Sequence, residues 1–492
     1  MHRIGRALFR LGSRVAAGES GYGCVGLVAM MAMLLPWQIS HAVPSFARQT
    51  GMACEACHTV WPELTHFGRT FKAGGYVLDN LRQVRGVDSQ KAEFLDLATT
   101  PPLSIMIQAG YTQLAKAIPD TSNPAVKGSS QNGTVDFPQQ VGLFYAGKVA
   151  PHLGAFLQLT YDNGSGTLGI DNTDIRLADL LVLPNEKTLI YGLSLNNNPT
   201  VQDLWNSTPA FGFPYVGSSA AVAPVAGTQI DGGLAQSVAG LSAYVFWQEA
   251  VYAELGFYRS AKQGSSNALT GGTGPLDGTS SNIVKGFAPY GRVAYEYNAD
   301  RHSLEVGMYG AAFRLFPGGT AAAPMPVNGP VNEFRDIAED LQYQYFGENN
   351  SVSVVATHIH ETMNLDASYR AGSVANARDD LTTERLAISY FYQHRLGGSF
   401  ALFSTSGSSD AGLYAAIPAD TSGNPGVVTS LNNRPDTSGS IVELDYLPWL
   451  NTKFGIQYTA YNKFNGGSTN YDGAGRSAQN NNSLYFLVWL AY

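Results

Sequence analysis

The 492-residue chain is poor in cysteine, in charge and in long apolar runs. Its three Cys cannot staple a chain of this length, which excludes a disulfide-built scaffold. Charged residues make up 14%, against roughly 25% in an ordinary soluble protein. Lys is the scarcest of them, with ten. The formal net charge of −8 leaves no basic patch, so no nucleic-acid partner is expected. After position 42 no apolar run approaches the about 18 residues that a membrane helix needs, which excludes a helical membrane protein. The 54 Gly and 24 Pro follow no period, which excludes a collagen-like repeat. What is abundant is aromatic: 11% of the chain, with 26 Tyr. An aromatic chain of low charge that turns out rich in strands reads as a transmembrane barrel.

Residues 1–42 have the form of a secretory signal. Arg3, Arg6, Arg10 and Arg14 precede an apolar stretch from Val25 to Leu35, and Ser40-His41-Ala42 supplies small residues for cleavage after Ala42. The apolar stretch is too short to span about 30 Å of hydrocarbon. Cys24 precedes the apolar core and is expected to leave with the signal.

Twelve residues past the expected cleavage point stands Cys54-Glu55-Ala56-Cys57-His58. Two thiols at i and i+3 share one face of a helical turn, where they can add to the two vinyl groups of one haem, and the adjacent His then serves the iron as proximal ligand. A zinc half-site would need further Cys, which the mature chain lacks, and a redox pair would not require the His. The expected cofactor is one covalent haem c on Cys54, Cys57 and His58. The second axial ligand stays open among Met52, His66, Met106 and His358. Phe46, Trp61, Phe67 and Phe71 are spaced to cover haem faces, and Arg48, Arg69 and Lys72 are candidates for its propionates or are ordinary solvated residues. A helix is expected from Pro62 to Gly74-Gly75. So short a segment, 43–80, rarely supports its own core and needs a second surface to pack against.

From Leu103 to Tyr492 the sequence alternates with period two between Gly-, Asn-, Ser- and Asp-rich loops. Leu103, Ile105, Ile107, Ala109 and Tyr111 share one face, and Ser104, Met106, Gln108 and Thr112 the other. Short and long connections alternate, the asymmetry of a transmembrane barrel, and joining about sixteen strands encloses an aqueous lumen able to accept a small plug. The expected fold is therefore an all-β, antiparallel transmembrane barrel over 103–492, carrying a small helical monohaem cytochrome c segment in its lumen, with 81–102 as a linker containing a short helix at Ala92–Leu95. His358 and His360, at i and i+2, are expected to point inward and either share a metal or stand as lumen polar groups. Asp162, Asp174, Glu305, Glu443 and Asp445 are expected to face the lumen, where they can attract cations.

The stretch Pro44–Gly51 (PSFARQTG), the haem motif, Pro62-Glu63-Leu64 and Phe67–Tyr76 (FGRTFKAGGY) closely resembles the fused outer-membrane cytochrome c–porins of iron-oxidising bacteria, and Gly192–Trp205 (GLSLNNNPTVQDLW) is also similar to such fusions. Where that pattern commonly has Pro, this chain has His66. The resemblance implies an iron oxidoreductase of the outer membrane. It would take electrons from extracellular Fe(II) and pass them through one haem to a periplasmic carrier, a cytochrome c or copper protein. The alternatives are a similar conduit for another extracellular donor or acceptor, and a porin whose haem only completes a plug.

Overall fold

A computed structural model describes residues 45–59, 61–78, 83–84, 97–98, 101–118, 132–162, 166–210, 212–260, 283–318, 328–414, 430–449 and 451–492. The expected signal and the short helix at Ala92–Leu95 lie outside the described residues. Within the linker, Gln83–Val84 pairs antiparallel with Leu97–Ala98.

Three short helices come first: α1 (Ser45–Thr50), α2 (Cys54–Cys57) and α3 (His66–Ala73). The α3 helix starts four residues later than Pro62, because Thr65 is the N-cap and its hydroxyl accepts from Gly68 N at 3.1 Å. It ends at Gly74, as expected.

The barrel strands are β1 (Leu103–Leu114), β2 (Thr134–Ala150), β3 (Leu153–Asp162), β4 (Thr167–Val182), β5 (Thr188–Asn196), β6 (Val238–Trp247), β7 (Val251–Ser260), β8 (Ala288–Ala299), β9 (His302–Leu315), β10 (Asn332–Phe346), β11 (Asn350–Asn364), β12 (Arg378–Tyr392), β13 (Leu396–Gly407), β14 (Thr437–Trp449), β15 (Thr452–Lys463) and β16 (Ser483–Ala491). Each pairs antiparallel with its neighbours in sequence, and β16 closes the cylinder on β1 through Ser483↔Leu114 to Ala491↔Met106. Closure leaves no unpaired sheet edge, which is the condition for a sheet to cross a bilayer. The short turns and both barrel termini lie at one rim, the long loops at the other.

Alternation sets the two faces. Leu143, Leu193, Leu241, Leu255, Val293, Val306, Leu402, Leu444 and Ile456 are exposed on the outer face. Tyr295, Tyr297, Tyr390, Tyr392, Tyr446 and Tyr492 stand outward toward the short-turn rim, as an aromatic girdle does at a membrane interface.

The lumen is not an open acidic channel. The connection between β5 and β6, which the sequence presents as a long external loop, folds into the cylinder: Leu204, Trp205, Ile230 and Leu234 are fully buried. Ile230 and Leu234 join Phe313, Ile359 and Met363 of the wall in one apolar cluster. Of the expected lumen acids, Asp174, Glu305, Glu443 and Asp445 face inward, but bases inside the barrel hold them. Arg176 pairs with Asp174, Arg292 with Glu305 and Asp340, and Lys453 with Glu443 and Asp445.

This infolded loop reverses the expectation for His358 and His360. Both imidazoles stand on the outer face of β11, about half exposed, while Thr357, Ile359 and Glu361 face inward. Their neighbours are Glu384 at 3.4 Å from His358 and Asp380 at 3.9 Å from His360. Two causes combine. The apolar alternates Ile359 and Met363 are consumed by the inner cluster, and a strand of 15 residues outruns the about 9–11 that cross hydrocarbon, so its upper end can carry polar side chains outward. Neither His reaches the interior.

Candidate functional site

The helical segment sits inside the barrel and is anchored along its length. Ser45 Oγ and Gln49 Nε2 donate to Ala146 O of β2 at 2.7 and 2.8 Å. Glu63 accepts from Thr59 at 3.2 Å, from Tyr215 of the infolded loop at 3.0 Å, and from Ser353 of β11. Burial pushes the Glu63 carboxyl up, against the pull of these donors. Arg69 of α3 is fully buried and spends its fork on the wall: Glu296 at 2.7 and 2.9 Å, Gln342 and Gln344 at 2.9 Å each, and Ser303 at 2.9 Å. Tyr76 donates to Asp174 at 2.6 Å.

Between this segment and the wall lies a cavity of about 530 Å³, within the range of cofactor sites. Cys54, Cys57 and His58 all line it. Phe46, Trp61, Phe67 and Phe71 line it too, as the sequence led one to expect, and the barrel adds Phe144 and Phe156. Wall residues Ser104, Met106, Ala146, Lys453, Trp489 and Ala491 all lie near the short-turn ends of their strands, so the thiols stand toward that rim. The loop residues Asn206, Tyr215 and Gln236, with Asp171 of β4, line the cavity as well.

Local packing fixes the motif. The α3 helix presses so close on α2 that a Cβ on Gly68 would stand 2.3 Å from Cys57 O, a position only Gly can hold. His58 Nδ1 stands 3.2 Å from Glu63 O; the carbonyl can only accept, so Nδ1 carries the proton and Nε2 is left as the lone-pair nitrogen. The imidazole stacks on Trp61 at 4.1 Å and 19°, and Trp61 leans on Trp489 of β16 at 5.7 Å. Burial lowers its pKa to about 4, against the pull of the Glu63 carbonyl, keeping it in the neutral, ligating form. Burial, then the nearby Glu55 and Cys57, raises the Cys54 thiol to about 11, and burial raises Cys57.

The other expected site residues divide. Met52 and Met106 line the cavity. Lys72 lines it too, its ammonium donating to Val201 O at 2.6 Å and Asp203 O at 2.8 Å, with burial and then Arg176 bringing it down to about 8. Arg69 is not available to a propionate, because Glu296 holds it. Arg48 donates to Leu103 O and lies 5.3 Å from the Tyr492 ring, away from the cavity lining.

His66 is no second ligand here. Its Nδ1 meets Glu296 at 2.7 Å and its Nε2 meets Glu249 at 3.0 Å, so both nitrogens are committed outside the cavity. Burial alone would lower this imidazole; the hydrogen bonds it donates to Glu249 and Glu296 and the charge of Glu296 overcome it and raise it to about 9. The unfolded value is about 6.5. The contribution of this clamp to seating α3 is therefore fully present below about pH 6.5 and is lost as pH rises through about 9. Protease susceptibility of the 45–78 segment is expected to rise modestly over that alkaline interval, and His66→Gln to flatten the rise. An unchanged pH profile in the variant would refute the assignment.

No family model and no curated protein matches the chain. Among solved structures it is similar to a loop-deleted OmpT, an outer membrane protein of Vibrio cholerae, at 9% identity, covering 79% of this chain and 98% of that one with a TM-score of 0.40. It is similar to OmpF of Salmonella typhi at 12% identity, covering 79% and 97% with a TM-score of 0.39. It is also similar to an anion-selective porin from Comamonas acidovorans at 14% identity, covering 79% and 98% with a TM-score of 0.39. These are likenesses of fold and carry nothing about ligand or activity.

Proposed function

We propose that this chain is an outer-membrane conduit that takes electrons from extracellular Fe(II) and delivers them to a periplasmic carrier, a cytochrome c or a copper protein. The observation that carries the reading is the convergence of Cys54, Cys57 and His58 on one largely apolar cavity between the helical segment and the barrel wall.

The residues fit haem c. Two thiols at Cys-x-x-Cys spacing line the cavity, and the adjacent neutral imidazole is oriented through Nδ1 by a backbone carbonyl, the usual support of a metal-bound His. When bound there, haem c supplies a one-electron couple tuned by its axial ligands and burial. The chain does the rest. The closed barrel carries the site through lipid; of the two cationic groups on the lining, Lys453 is held by Glu443 and Asp445, which leaves Lys72, on two backbone carbonyls, as the one suited to a propionate. One Fe(II) gives one electron and stays outside as Fe(III), so the insoluble product never enters the cell. The resemblance to cytochrome c–porin fusions favours iron as donor. Export by residues 1–42 and the outer-membrane location belong to the same proposal.

Stopped-flow mixing of purified holoprotein with Fe(II) is expected to show reduction of the haem absorption bands in a single one-electron phase. Bands that stay oxidised with Fe(II), yet are reduced by another extracellular donor, would move the assignment to that donor.

A further inference from the structure

The cavity has two kinds of wall. One belongs to the helical segment and carries Cys54, Cys57 and His58; the other belongs to the barrel. Two thioethers line it, Met52 just ahead of the Cys pair and Met106 on β1. From the geometry we infer that Met106 is the second axial ligand, so that the barrel itself completes the coordination that the helical segment begins. This rests on the haem reading above.

Four observations favour Met106. First, the other candidates are spent: His66 is clamped by two carboxylates, and His358 stands on the outer face of the barrel. Second, the wall that carries Met106 adjoins His58 through a continuous contact. His58 stacks on Trp61, Trp61 leans on Trp489, and Trp489 is registered opposite Gln108, which makes Met106 its diagonal neighbour across the β16–β1 pair. Third, the thioether is oriented by a polar partner: Gln108 Nε2 donates to Met106 Sδ at 3.5 Å. A donor to one lone pair of the sulfur fixes its direction and leaves the other pair for a metal. Fourth, the position facing Met106 on β2 is Gly142, where an added Cβ would stand 3.3 Å from the Met106 methyl. The wall is hollowed at the point where this side chain must turn.

Met52 lacks such support. It lies two residues before Cys54, on the same short chain that holds the thioether edge of the ring, and its backbone N is tied to Thr50 Oγ1 at 3.2 Å. Reaching the face opposite His58 would require that chain to wrap around the porphyrin edge.

The assignment has a functional consequence. A Met ligand holds the couple at a higher potential than a second His would, and a weak donor such as Fe(II) needs a high-potential acceptor. Ligation from the wall also makes that potential conditional on correct seating, so an unseated segment would carry a five-coordinate site.

The test is spectroscopy of the full-length holoprotein in detergent. The ferric wild type is expected to be low-spin and to show the weak near-infrared sulfur-to-iron charge-transfer band. Met106→Leu is expected to abolish that band and convert the ferric signal to high-spin, with covalent haem content unchanged. Met106→His is expected to stay low-spin, lose the band and titrate at a lower potential. Met52→Leu is expected to keep the band. A band that survives Met106→Leu, a band lost in Met52→Leu, or a wild type without it each overturns the inference. A wild type without covalent haem instead fails the functional reading itself.

Discussion

Replacing Arg69 with Met is expected to unseat the helical segment at a cost of about 3–5 kcal/mol while the barrel stays folded. The reason is the company Arg69 keeps. Its guanidinium is fully buried and grips Glu296 with two hydrogen bonds, and it also satisfies Gln342, Gln344, Ser303 and the Leu64 carbonyl. Without it, Glu296 keeps only Trp205 Nε1, Ser303 and the imidazole of His66, and two Gln carbonyls face apolar carbon. Breaking one partner of a buried pair costs far more than removing both. Arg69→Met combined with Glu296→Leu is therefore expected to recover much of the loss. Limited proteolysis, scored separately for the 45–78 segment and the barrel, reads both outcomes. A single variant as resistant as the wild type would show that the pair does not seat the segment.

Replacing Cys57 with Ser is expected to remove one thioether and reduce covalent haem severely, and the Cys54→Ser, Cys57→Ser double variant to abolish it. Neither thiol is joined to another part of the polypeptide, and Ser is a close isostere of Cys. The barrel assembly should therefore be untouched. Glu63, Arg69 and Tyr76 anchor the segment without either Cys, so the double variant should retain its seating. Haem-linked peroxidase staining after denaturing electrophoresis measures the first effect, and proteolysis the second. Full covalent haem in the double variant would refute the attachment site.

The barrel was largely legible because its signal is local. Period-two alternation marks each strand, and turn residues fall where the chain must reverse, so Leu103 to Tyr492 reads as about sixteen strands, and sixteen are found. The Cys54–His58 motif is equally local, and the structure brings its two thiols and its imidazole to one cavity. What failed was decided by distant partners. Arg69 looks like a free cation on a helix until Glu296, 227 positions away, claims it. The stretch near 198–232 reads as one of the long loops because its Asn, Asp and Gly residues are turn formers. Yet Trp205 Nε1 donates to Glu296 at 3.0 Å and Asp231 pairs with Arg385, which draws it inward. Once inside, it presents Ile230 and Leu234 to the wall, so Ile359 turns inward and His358 outward. Over this part of β11 the filled lumen takes apolar side chains inward and leaves polar ones outside, and nothing in β11 alone announces it.

The electrical logic depends on position. The motif stands toward the short-turn rim, which is the periplasmic side in transmembrane barrels of this kind and the side from which the proposed carrier would approach. Asp171, Asn206 and Gln236 also line the cavity, and under the proposed direction of flow the donor would approach from the long-loop side. Everything rests on a porphyrin being joined to the two thiols, and intact mass spectrometry of the chain purified from the outer-membrane fraction tests this most directly. The account predicts the mature polypeptide plus exactly one haem, resistant to acid–acetone extraction and unreactive to thiol alkylation. A bare polypeptide whose Cys54 and Cys57 both alkylate would contradict it.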